Sequence, residues 1–300
     1  MSLPTRGVGL PSVLRRPLGT LWIILEMIKF EHTLFALPFA LMSAFLAAGG
    51  WPAPRTLGWI LLAMVGARSS AMSFNRLVDL EFDRRNPRTA GRALPAGRLT
   101  TAQVWLFWLA SAVVFVFAAG MLNRLALLLS PVALAVLWGY SYTKRFTALS
   151  HLVLGFALGI APVGAWIAVR GRVEAVPLIL CAAVTLWTGG FDILYACQDI
   201  AFDRQVGLHS IPARLGVGAA LAISAALHVA TLALLLFLQR EAGLGSLYLA
   251  GVGVVGVLLA YEHAIVRPGD LSRLNTAFFT TNGFVSLGLM FFTLADVLLR

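Results

Sequence analysis

The sequence predicts an all-α membrane protein of nine transmembrane helices, and three observations carry that prediction. Hydrophobic residues make up 59% of the 300 and charged residues 12%, against about 25% charged in soluble domains. Nine apolar runs are long enough to cross roughly 30 Å of hydrocarbon, which takes about 20 helical residues. The acidic pattern DLEFDR, Asp79 to Arg84, returns as DIAFDR, Asp199 to Arg204, in a chain with only 13 acidic residues.

The runs lie at 33–50, 57–75, 103–122, 125–140, 151–169, 176–197, 219–238, 246–262 and 276–298. Each is expected to be helical, because backbone groups in hydrocarbon must bond within their own segment. Residues 1–32 read as an amphipathic cytoplasmic lead, since Glu26, Lys29, Glu31 and His32 break the apolar run that starts at 20. Arg6, Arg15 and Arg16 precede the first span with no short apolar core and small-residue cleavage site behind them, so no signal peptide is expected. Residues 33–300 then form one transmembrane domain, with pseudo-repeated halves over about 57–170 and 176–300.

With a cytoplasmic N-terminus, fifteen of the 23 lysines and arginines fall on the cytoplasmic side. Arg55, Arg124, Arg170, Arg172, Arg240 and Arg300 fall on the other, and Arg68 and Arg76 sit in span two. This is the positive-inside bias. It accounts for the net charge of +10, with some attraction to anionic lipid, and implies no nucleic acid and no protein partner. Cys181 and Cys197 share one span and suit neither a metal cluster nor a disulfide framework; they are expected to be packing residues. The histidines are scattered, with His151 and His209 in cytoplasmic loops within reach of a substrate.

In this topology spans two and six run the same way, so both acidic patterns emerge at the cytoplasmic face. At 100° per residue, Arg68, Asn75, Asp79 and Asp83 project at about 20°, 0°, 40° and 80°, and Asp192, Tyr195, Asp199 and Asp203 at about 0°, −60°, −20° and 20°. Each half carries one polar stripe, while Glu81 projects away and reads as solvated. Solvated helix ends would explain one stripe; two matching stripes on one side point to a shared ligand. Carboxylates gathered near a bilayer are costly and raise one another's pKa, so they call for a cation. Hard oxygens suit Mg²⁺, usually held by one or two carboxylates, water and substrate phosphates. The Asp and Asn oxygens of the two stripes are therefore candidate Mg²⁺ ligands, and a diphosphate is the candidate ligand between them.

Basic loops follow each stripe: RRNPRTAGRALPAGRLT after the first, RQVGLHSIPARLGVG after the second, and YSYTKRFTALSH between them. Arg88 and Arg92 are candidates to grip phosphate oxygens bidentately, with Lys144 and Arg145 beside them; Arg84, Arg85 and Arg98 read as positive-inside anchors. Arg68 sits about two turns inside span two on the acidic face. It should pair with Asp192, at matching depth on span six, or with a carboxylate of the ligand.

Asn75-x3-Asp79-x3-Asp83 is followed by Arg88, Thr89, Arg92, Leu94, Pro95 and Gly97, then by Tyr140-x2-Thr143-Lys144-Arg145, then by DILYACQDIAFD from Asp192. This series resembles the UbiA superfamily of intramembrane aromatic prenyltransferases over nearly the whole chain. The resemblance implies a nine-helix bundle with two aspartate-rich motifs on the cytoplasmic side, and transfer of a polyprenyl chain from its diphosphate to an aromatic ring. Mg²⁺ would bridge the diphosphate and the aspartates: Asn75, Asp79 and Asp83 in the first motif, Asp199 and Asp203 in the second, which Asp192 and Tyr195 open. IKFEHTLFALPFAL, MSFNRLVDLEFD and GLHSIPARLG are similar to a bacterial branch described as 4-hydroxybenzoate polyprenyltransferases, some of which take a dihydroxynaphthoate. An aromatic acid acceptor, respiratory quinone biosynthesis and the bacterial inner membrane are implied with it. One departure stands out: Asn75-Arg76 occupies the place where many members have Asn-Asp.

Chemically, cations around a leaving diphosphate would stabilise its developing charge. The allylic carbon would then meet an electron-rich ring carbon, and a carboxylate or the diphosphate would take the ring proton. Asp79, Asp83, Asp192, Asp199 and Asp203 are the candidate catalytic residues, with Asp192 steering the phenol or the cation. Phe74, Tyr140, Phe191 and Tyr195 are placed to shield the cation through their ring faces. A secondary transporter would show charges leading to the opposite face, which are lacking here; a CDP-alcohol phosphotransferase would need a motif start that is absent. Haem O synthase remains an alternative within the superfamily.

Overall fold

The computed structural model describes residues 19, 22–28 and 33–300. Most of the expected lead therefore lies outside the described residues. Within it, residues 22–27 are helical, with Ile24, Met27 and Ile28 packed among Met72, Leu94, Leu99 and Val104.

The described residues form helices and no strand. They are α1 (Thr33–Ala48), α2 (Pro54–Val78), α3 (Leu80–Arg85), α4 (Thr101–Leu122), α5 (Arg124–Thr143), α6 (Ser150–Arg170), α7 (Ala175–Ala196), a 3₁₀ turn (Cys197–Asp199), α8 (Ile200–Val206), α9 (Ile211–Glu241), α10 (Ser246–Ile265), a π-helix (Thr276–Thr281) and α11 (Asn282–Leu298). Eight helical segments among them are long and apolar enough to cross a bilayer. α1 is shorter, 16 residues, and packs chiefly against α6 and α11. Side chains such as Leu106, Val257 and Phe291 point outward, 67–70% exposed, as lipid-facing residues would be.

Local sequence sets the ends. Pro54 opens α2, where its missing N–H costs nothing. Thr100 and Gln103 form a reciprocal capping box at α4, Asn123 caps α5, and Gly171 closes α6 at φ 71. Gly155 and Gly159 form a small-x3-small pair on α6. A Cβ at Gly155 would fall 2.2 Å from the Thr185 carbonyl oxygen of α7, so only glycine lets these helices approach so closely.

Both acidic patterns sit at breaks. α2 ends at Val78, Asp79 takes φ −90, ψ 5, and the chain restarts as α3. α7 ends at Ala196, passes through the 3₁₀ turn with Asp199 at φ −103, ψ 7, and restarts as α8. The expected single-helix stripes therefore hold only as far as Asp79 and Asp199; Asp83 and Asp203 ride on separate short helices. A second departure is in α9, which begins at Ile211, ahead of the apolar run at 219, and bends at Gly216 (φ 82), a left-handed backbone suited to glycine.

Candidate active site

The two breaks meet. Asn86, just after α3, donates from Nδ2 to Asp199 Oδ1 at 3.2 Å. Arg88 forks onto the same carboxylate, Nε to Oδ1 at 3.0 Å and Nη2 to Oδ2 at 2.6 Å. The loop after the first motif thus holds the first aspartate of the second. Lys144 Nζ lies 2.9 Å from Asp203 Oδ1, and its neighbour Arg145 lies 3.6 Å from Asp79, so one dipeptide straddles both motifs. Arg145 also donates to the Val78 carbonyl at 2.8 Å, capping the end of α2.

The remaining acids are held within their own half. Asp83 accepts both 2.7 and 2.9 Å bonds from Arg92 Nη1 and a 3.2 Å bond from the buried Arg76. Asp79 accepts from Asn75 at 2.8 Å. Burial, then the nearby Asp83 carboxylate, push the Asp79 carboxyl above its ordinary value. Burial pulls on the Arg88 guanidinium, but the hydrogen bond and charge of Asp199 outweigh it and raise its pKa.

Beneath this mouth lies a cavity of about 380 Å³ whose wall includes Asn75, Arg76 and Arg92 at one end and Ile60, Leu122 and Ile167 at the other. Arg68, Tyr140, Asp192 and Tyr195 line it between these ends. Arg68 Nε and Nη2 are buried without a hydrogen-bond partner. The expected Arg68–Asp192 pair is not formed, because Asp192 Oδ2 is taken by His151 Nδ1 at 2.7 Å. His151 is no loop residue either: it lies in the first turn of α6, buried. Tyr140, Phe191 and Tyr195 face the cavity with Phe278 and Phe279 of the π-helix. Phe74 does not, since its ring packs with Trp105, Trp108 and Trp138 at 5.7–6.3 Å.

Three contributions escape sequence reasoning. Asn86 carries no motif signal beyond its place before Pro87; His151 meets Asp192 only in three dimensions. Glu262, Asn282 and Trp187 form a buried network, with Asn282 donating to Glu262 at 3.0 Å and accepting from Trp187 at 2.8 Å, and this anchors the start of α11 next to the π-helix. Glu81 pairs at the surface with Arg85 and Arg98 with Glu26, as solvated charges do, and Cys181 and Cys197 are buried free thiols.

The carboxylates fit a divalent cation in one way. Among the described residues no three acidic, His or Cys side chains gather around a single point. Asp79 lies near enough to Asp83 for their charges to act on each other, and such carboxylate oxygens are of the kind Mg²⁺ takes one or two at a time, filling its shell with water and phosphate.

The UbiA prenyltransferase family model matches residues 36–288, and the chain belongs to that family. It is 30% identical over 261 residues, 87% of this chain and 92% of the other, to the 4-hydroxybenzoate octaprenyltransferase of Vibrio atlanticus (strain LGP32). It is 32% identical over 278 residues, 91% and 90% of the two chains, to the protein of the same name from Marinobacter nauticus. A UbiA homologue from Aeropyrum pernix K1, solved in its apo form, superposes with a TM-score of 0.81 at 35% identity over 89% of this chain and 98% of that one. A UbiA homologue from Archaeoglobus fulgidus bound to DMAPP and Mg²⁺ shares the fold, with a TM-score of 0.70 at 20% identity over 91% and 98%.

Proposed function

We propose that this prenyltransferase moves a polyprenyl chain from its diphosphate onto an aromatic acid, 4-hydroxybenzoate or a dihydroxynaphthoate, in respiratory quinone biosynthesis. The observation that carries the reading is the convergence of two broken helices, each bearing an Asp-x3-Asp pair, on the mouth of an apolar cavity. Names carried by the relatives support the acceptor class. We further propose nine spans, counting α1, with both motifs at the cytoplasmic face of a bacterial inner membrane.

Asn75, Asp79, Asp83, Asp199 and Asp203 would hold Mg²⁺. When bound, Mg²⁺ neutralises the charge that grows on the leaving diphosphate. Arg88, Arg92, Lys144 and Arg145 now sit on the carboxylates and would turn to phosphate oxygens of a diphosphate bound there. Tyr195 is stacked on Phe278 at 4.1 Å with the Arg88 guanidinium over its ring at 5.5 Å, and would offer a ring face to an allylic cation once Arg88 turns to the diphosphate. Arg68 lines the cavity and keeps two buried donors without a partner, so it is suited to the acceptor carboxylate, which a guanidinium can take bidentately. Asp192 lies on the same wall and would orient the phenol or receive the ring proton.

The test is transfer by purified protein of a labelled polyprenyl diphosphate to 4-hydroxybenzoate and, separately, to 1,4-dihydroxy-6-naphthoate. Mg²⁺-dependent product with one acceptor, lost on adding a chelator, is expected; product with neither overturns the acceptor class. Labelling of Arg85→Cys from the periplasmic side of intact cells would overturn the orientation.

A further inference from the structure

The diphosphate end of the site and Asp192 are connected by hydrogen bonds that the proposed reaction leaves unused. Ser210 Oγ donates to Asp203 Oδ2 at 2.8 Å and, as the N-cap of α9, accepts from the Ala213 amide at 3.3 Å. The next residue, Ile211, directs its amide at His151 Nε2, 3.3 Å away. His151 Nδ1 in turn lies 2.7 Å from Asp192 Oδ2. Asp203 and Ser210 are 0% exposed and His151 is 2% exposed, so water cannot replace these partners.

The chemistry of the ring orders this chain. A backbone N–H only donates, so His151 Nε2 must accept, and the neutral imidazole carries its proton on Nδ1. That proton is donated to Asp192. The backbone of α9 thereby selects the tautomer that holds a carboxylate in the cavity wall. His151 itself is not part of the cavity lining, whereas Asp192 is, so any influence of His151 on substrate passes through Asp192.

We infer that His151 is a positioning residue. It fixes the direction of Asp192 toward the aromatic acceptor, and through Ile211 and Ser210 it ties that direction to Asp203. This rests on the reading of the cavity as the acceptor site. His151 acts through Asp192, so its effect should fall on acceptor binding, not on the diphosphate.

Two variants separate this from packing. His151→Gln can keep both bonds, its amide donating to Asp192 and its carbonyl oxygen accepting from Ile211; His151→Leu keeps volume and loses both. With geranyl diphosphate, 4-hydroxybenzoate and Mg²⁺ as probes, His151→Leu should raise the KM for the acid about tenfold while the KM for the diphosphate stays within about twofold. His151→Gln should recover most of the loss. Equal rises in both KM values, an unchanged KM for the acid, or a Gln variant no better than Leu would overturn the assignment. Should His151→Leu fail to fold, ¹⁵N spectra of histidine-labelled wild-type protein decide: an Nδ1-protonated neutral ring is expected, and an Nε2-protonated or doubly protonated ring at neutral pH overturns it. If the wild type prenylates neither test acid, the acceptor reading fails by itself, and the ring spectra still judge the geometry.

Discussion

The two helix breaks look alike but keep their charges differently. At the first, the partners come mostly from nearby in sequence: Arg76 and Arg92 on Asp83 and Asn75 on Asp79, with Arg145 the one distant charge, 3.6 Å from Asp79. At the second they come from far away, with Arg88 and Asn86 on Asp199 and Lys144 on Asp203. The first motif can assemble with its own loop. The second depends on the first half of the chain being in place, so the joint site is a product of tertiary folding. Arg76 sharpens the contrast: it is a buried cation 3.2 Å from Asp83 that neutralises its own motif.

If both breaks serve one ligand, loss of either should be equally severe. Asp79→Ala and Asp199→Ala should each lower prenyl transfer by about 10²-fold or more with normal expression and membrane insertion; near-normal activity of either at saturating Mg²⁺ would separate the motifs. If the first motif is self-contained, Arg76→Ala should cost only about 1 kcal/mol of stability, because Asp83 keeps both bonds from Arg92 when its buried Arg76 partner is removed. Arg88→Ala leaves Asp199, whose side chain is 10% exposed, with Asn86 as its remaining hydrogen-bond donor and should cost about 3 kcal/mol; thermal unfolding in detergent would compare them, and equal losses would erase the distinction.

Arg68→Lys keeps charge and loses the planar fork, so the KM for the aromatic acid should rise about tenfold with little change for the prenyl diphosphate. Equal effects on both substrates would remove Arg68 from acceptor binding. The smallest effect concerns Asp79. Its folded carboxyl holds a proton more tightly than the unfolded one, so stability falls as pH rises from the ordinary value of 3.8 through the raised one. Asp79→Asn escapes that loss and should unfold about 2 °C or less above wild type at pH 7 in the absence of Mg²⁺, though inactive. A lower unfolding temperature would show that Asp79 is stabilised as an anion.

Much of the fold is legible in the sequence because hydrocarbon leaves the backbone little choice. The runs at 103–122 and 176–197 became helices Thr101–Leu122 and Ala175–Ala196. The acid patterns could be paired from topology alone. The breaks were hidden because a projection at 100° per residue assumes the continuous helix it tests. The Asp192 partner was hidden as well: His151 is 41 residues away in sequence, and depth-matching pointed to Arg68 as one of two alternatives. The π-helix leaves no periodic trace, since its extra residue shifts Phe278 and Phe279 relative to α11 without changing the apolar character of the segment.

The interruption at Asp79 has a practical side for protein engineering. A library selected only for heat resistance would favour residues that let α2 run straight through into α3, since each added helical bond and better helix former is rewarded. Straightening would turn Asp83 away from Arg92 and draw Asn86 off Asp199. Such winners would be sturdier bundles with no catalyst in them, so a thermostability campaign on this scaffold has to hold residues 79–92 fixed and take its gains from the lipid-facing turns.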